Sequence, residues 1–112
     1  MDNIAEVADS GHRRAERDEV FLRTSLTLGR KSRLSVQLVN ISPFGFMLRT
    51  NEPAAIGAPL RIKLPEIGEI AAHVVWSLGG RIGAEFNLAI SEADYPVLLD
   101  AVKNARPNWL KS

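Results

Sequence analysis

Between Val20 and Phe86, apolar and polar residues alternate in short runs that break at turn-forming residues. Val20, Leu22, Thr24, Leu26 and Leu28 fall on one face of an extended segment, and Gly29-Arg30-Lys31-Ser32 follows with the chemistry of a turn. Leu34, Val36 and Leu38 then resume the alternation, with Ser35 and Gln37 on the opposite face. The phase slips where Leu38 and Val39 adjoin, which points to a bulge or a sharp twist. Ser42-Pro43-Phe44-Gly45 is a strong turn signal. Phe46 to Thr50 reads as the next strand, and Pro53 to Pro59 as a loop broken by Gly57. Leu60, Ile62 and Leu64 alternate cleanly with Arg61 and Lys63. Pro65-Glu66-Ile67-Gly68 turns the chain into a strand from Glu69 to Trp76. Gly79-Gly80 makes another hairpin, and Ile82, Ala84 and Phe86 form the last strand. Trp76 and Phe86 occupy apolar-phase positions and are expected in the core. His73 falls on the opposite phase from Trp76, at the surface or rim.

Several short strands at this spacing predict an antiparallel barrel or sandwich. Closure into a barrel also removes exposed sheet edges. The tail changes period: Tyr95, Leu98, Leu99 and Val102 form one helical stripe, predicting a helix over about 94–106 that packs on the barrel or plugs one end. Ser91 or Asp94 can cap it, and Asp94 suits better because Pro96 is tolerated only in or near the first turn. Pro107 ends it.

Residues 1–19 have a different character. They are charged, poor in large apolar side chains and dense in basic residues at His12-Arg13-Arg14-Ala15-Glu16-Arg17. Such a segment buries too little surface to order itself. The expected organisation is therefore a flexible N-terminal arm, residues 1–19, and a barrel with its helix, residues 20–112.

Composition narrows the function. There is no cysteine, so neither a disulfide framework nor a thiolate metal site is available. His12 and His73 have no paired ligand spacing, and no metal is expected. No nucleophile–base pair stands out, so an enzyme is not expected. No apolar run approaches a membrane span, and the first residues lack the order of a secretory signal, which places the protein in the cytoplasm as an expectation. The net charge of +1 is too small to drive binding by itself.

Two constellations could carry chemistry. Arg13 and Arg17 lie four positions apart with Arg14 between them, and guanidinium forks match phosphate oxygens and the O6/N7 edge of guanine. Asn40-Ile41-Ser42-Pro43-Phe44-Gly45 leaves a strand. Asn40 supplies a donor and an acceptor, Ser42 a compact hydroxyl, and Gly45 a site for positive φ with room near the backbone. Alone, the first also reads as a solvated charged tail, and the second as a serine-stabilised turn without ligand. The basic turn Arg30-Lys31-Ser32-Arg33 could enrich anions nearby.

Together, an RxxxR arm followed after one hairpin by NxSxxG resembles the PilZ domain family, from about Arg13 to the closing helix. The strands carrying Val74-Val75-Trp76 and Arg81-Ile82-Gly83-Ala84-Glu85-Phe86 resemble the family too. That resemblance implies a six-stranded antiparallel barrel and a receptor for cyclic di-GMP. Carried over by motif position, Arg13 and Arg17 grip phosphates and guanine edges, with Arg14 an additional candidate. Asn40 contacts a guanine, Ser42 a phosphate or base, and Gly45 keeps the floor of the site open. The resemblance further implies a separate protein effector controlling motility, exopolysaccharide production or surface attachment, with no cofactor and no membrane or nucleic-acid partner. Two alternatives stay open. One is a PilZ-like interaction module without ligand, for which Trp109 and Leu110 could extend a partner surface. The other is a barrel for single-stranded nucleic acid, disfavoured because aromatics make up only 6% of the chain.

Overall fold

The computed structural model describes residues 17–105. Alternation in the chain becomes six strands: β1 (Asp18–Leu28), β2 (Lys31–Ile41), β3 (Gly45–Arg49), β4 (Pro59–Leu64), β5 (Gly68–Leu78) and β6 (Arg81–Phe86). One helix follows, α1 (Asp94–Asn104). All pairings are antiparallel, and the order β1-β2-β3-β6-β5-β4 closes because β1 also pairs with β4. The barrel places Leu26, Val36, Leu38, Leu48, Ile62, Val74 and Ile82 inside, each at or below 1% exposure. Each such side chain contributes roughly 1.5–3 kcal/mol through burial. Phe46 and Phe86 pack with ring centroids 5.1 Å apart.

Two-residue turns set the registers. Gly79 and Gly80, at φ 62° and 79°, supply the pair of left-handed conformations that matches the twist of the β5–β6 hairpin. The slip expected at Leu38-Val39 is present: β2 and β3 lose register between Leu38 and Asn40. The slip lets Leu38 and Ile41 both point inward while Asn40 faces out.

A second slip, between Val74 and Trp76 on β5, corrects the expectation for the tryptophan. Val74 pairs with Ala84 and points into the core, whereas Trp76 pairs with Gly83 on the outer face and is only half-buried. The extra residue, Val75, shifts the phase, so His73 and Trp76 share the outer face instead of opposing one another. The indole lies against Gly83 so closely that a Cβ there would meet Trp76 Nε1 at 2.1 Å. Phe86 is in the core as expected, at 5% exposure.

Helix α1 buries Leu98 and Val102 in the same cluster as the strands, with Tyr95 and Leu99 packed at its margin. Its cap differs from expectation. Asp94 is the first helical residue and Ala93, the N-cap, makes no side-chain bond; the Asp94 N–H donates instead to Ser91 Oγ at 3.0 Å, in the turn that leads into the helix. Among the described residues, no helix is long and apolar enough to cross a membrane.

Candidate functional site

The first strand begins at Asp18, one residue after Arg17. Two residues expected to belong to the arm, Asp18 and Glu19, are therefore barrel residues. Their strand alternation sends neighbouring side chains opposite ways. Arg17 reaches outward across β2, and its Nη1 donates to Asn40 Oδ1 at 3.3 Å. Asp18, opposite Ile41, faces the helix. There Tyr95 Oη donates to Asp18 Oδ2 at 2.7 Å and lies 3.0 Å from the Ile41 carbonyl, so one phenolic proton is shared between two acceptors. Burial, with the Asp18 carboxylate beside it, holds the Tyr95 phenol well above its ordinary pKa.

The two sequence motifs thus meet. Arg17 and Asn40, 23 positions apart, touch because the β1–β2 hairpin pairs Glu19 with Asn40. Asn40 faces solvent on the outer face, and its amide N–H groups add donors beside the guanidinium. Across β3 and β6 the same outer row continues through Met47 to Gly83 and the Trp76 indole. A cation, an amide, a thioether and an indole face therefore line one strip of the barrel. Such a strip can pair with anionic oxygens at one end and offer an aromatic surface at the other. Arg13 and Arg14 lie outside the described residues, as do Trp109 and Leu110.

The turn behind Asn40 is built differently. Ser42 is 7% exposed, and its Oγ accepts from the Phe44 N–H at 3.1 Å and the Gly45 N–H at 3.3 Å. Ser42 N–H in turn donates to the Gly45 carbonyl at 2.9 Å. The serine therefore closes the β2–β3 turn on itself, the arrangement its residue type favours. Gly45 does not take the positive φ expected of it. Its lack of a side chain matters for another reason: a Cβ would stand 2.3 Å from the Ala84 carbonyl oxygen of β6. The space expected to lie open over this glycine is occupied by a neighbouring strand.

Sequence reasoning missed Trp76 as an outer-face residue. The signal available was the adjoining Val74-Val75 pair, of the same kind as Leu38-Val39, together with a glycine in the facing strand.

The class defined by this fold is a small closed six-stranded antiparallel barrel with a helix at its end, and the strip lies on its outer wall. The family follows from comparison: the PilZ domain model matches residues 12–103, and the chain belongs to that family, the cyclic di-GMP receptor domains. A search of the curated proteins finds no match to the chain.

Proposed function

We propose that this protein is a cyclic di-GMP receptor that signals to a separate protein effector. The observation carrying the reading is the Arg17–Asn40 hydrogen bond, which unites the two motif segments on one exposed rim. Cyclic di-GMP is a dianion bearing two guanines, and guanidinium forks suit both its phosphates and its guanine edges. In this reading Arg13 and Arg17 close over the ligand, with Arg14 adding charge. Asn40 reads a guanine edge, Ser42 and Gly45 shape the turn that fixes Asn40, and Trp76 offers a flat surface for a base. Arg17 is engaged by an amide rather than a carboxylate, so an incoming phosphate displaces a neutral partner instead of competing with an acid.

Calorimetric titration with cyclic di-GMP tests the reading. If each arginine contact contributes about 1.5–3 kcal/mol, Arg13→Ala or Arg17→Ala weakens binding by about 10- to 100-fold. Wild-type affinity in both variants would remove the site assignment. Absence of binding by the wild type would remove the ligand.

A further inference from the structure

Register assembles a second feature that no stretch of sequence contains. Arg23 on β1 pairs with Gln37 on β2, Gln37 with Arg49 on β3, and Arg49 with Arg81 on β6. All four lie on the outer face, and the three arginines are exposed. Successive members are one strand spacing apart, about 4.8 Å, so Arg49 and Arg81 stand directly opposite as like charges. Among the described residues none of the three arginine side chains has a hydrogen bond or ion pair. Other cations do find acids: Lys31 takes Glu52, three residues past Arg49, at 2.8 Å, and Arg61 approaches Glu69 at 3.4 Å. Along the strands, the acids flanking this row are Glu19 and Glu85, each four residues from its arginine, or about 13 Å. Glu85 lies 3.3 Å from His73 Nε2, an ion pair when the imidazole is protonated.

Like charges set opposite one another destabilise a sheet, so the row costs folding free energy unless something neutralises it. Apolar side chains adjoin it, one at its β5 end and one along β1. Leu78, paired with Arg81, is 79% exposed, and Phe21, on the Arg23 side, is 51% exposed. Arginine combined with exposed apolar side chains is the composition of a protein-binding patch. A nucleic-acid surface calls for a higher net charge than this chain carries, +1.

We infer that the outer face of β1-β2-β3-β6 at Arg23, Arg49 and Arg81 is a docking surface for an acidic protein segment that also carries apolar side chains, set in an extended row across the strands. The inference rests on register and pairing and holds independently of the ligand.

The test uses the full chain without cyclic di-GMP and a short fluorescent peptide of alternating glutamate and leucine, followed by anisotropy. The wild type binds, and binding weakens as salt rises. Arg49→Glu with Arg81→Glu lowers affinity by about tenfold or more, and Arg49→Gln with Arg81→Gln lowers it less but in the same direction. A charge-matched control, Arg61→Glu with Lys63→Glu, retains wild-type affinity. The inference is overturned if the wild type does not bind the peptide, if the control loses affinity equally, or if a single-stranded oligonucleotide of equal charge binds more tightly than the peptide.

Discussion

Two adjoining regions of the rim use the same stretch of chain in opposite ways. At the end of β2, Asn40 faces out and meets Arg17 through a single hydrogen bond of 3.3 Å. In the turn that follows, Ser42 is buried and Gly45 is pressed against the Ala84 carbonyl. A motif written NxSxxG therefore divides into a part that meets solvent and a part that holds the frame. The same division falls between consecutive residues where β1 begins: Arg17 goes to the rim and Asp18 to the helix. Residues on the frame side should govern stability, and those on the rim side should govern affinity.

The largest break in that pattern comes from Gly45→Ala. The added methyl would stand 2.3 Å from a backbone oxygen, and backbone cannot swing aside as a side-chain tip can. We expect a loss of about 3 kcal/mol in chemical denaturation, with a fall in Tm of roughly 10–20 °C. Ligand affinity falls with it, because β3 must shift. An Ala variant as stable as wild type would show that the two strands separate easily and that the glycine serves the ligand.

Next is Tyr95→Phe, which removes the phenolic proton from Asp18 and the Ile41 carbonyl. The expected cost at neutral pH is about 1–2 kcal/mol. The sign of its pH dependence follows from the raised phenol pKa. The folded state keeps the proton to higher pH than the unfolded chain, so this contribution is complete below the ordinary value of 10.0 and is lost as pH rises above it. Wild type should therefore lose more stability than Tyr95→Phe between pH 9 and pH 12, measured by urea denaturation across that range. Parallel pH curves would dismiss the hydrogen bond as a stabilising contact. Because Asp18 adjoins Arg17, this bond also ties the start of β1 to α1.

How much of this was legible in the chain depends on the distance over which each cause acts. Local periodicity was enough for the strands, the Gly79-Gly80 hairpin, the slip at Leu38-Val39 and the stripe Tyr95, Leu98, Leu99, Val102. The resemblance carried by RxxxR and NxSxxG implied that Arg17 and Asn40 share a site, and the two side chains do touch. What escaped has its cause in another strand. Gly45 answers to Ala84, and Trp76 faces out because Gly83 leaves it a seat. The row of Arg23, Arg49 and Arg81 exists only once registers are fixed. The helix cap was misjudged for a local reason: Ser91 sits far enough back to reach the Asp94 N–H, leaving Asp94 as a helical residue.

On the rim side, Asn40→Ala is expected to leave stability within about 0.5 kcal/mol of wild type, since the side chain is outward-facing. It should weaken cyclic di-GMP by about tenfold, equivalent to 1.4 kcal/mol, in the same calorimetric titration. A variant that lost stability but not affinity would reverse the assignment of Asn40 and place it with the frame.

The smallest expected effect discriminates most finely. Ser42→Ala deletes the oxygen that accepts from the Phe44 and Gly45 amides, costing about 1 kcal/mol in denaturation. If the serine serves only the turn, cyclic di-GMP affinity changes by no more than about threefold, because Asn40 remains on its strand and Arg17 remains opposite it. If its hydroxyl proton also reaches the ligand, affinity drops as far as in Asn40→Ala while the stability loss stays the same. Thr, which keeps the oxygen and adds a methyl, then separates the two contributions. In the turn-only case Ser42→Thr regains stability and leaves affinity alone. In the direct-contact case affinity returns with it.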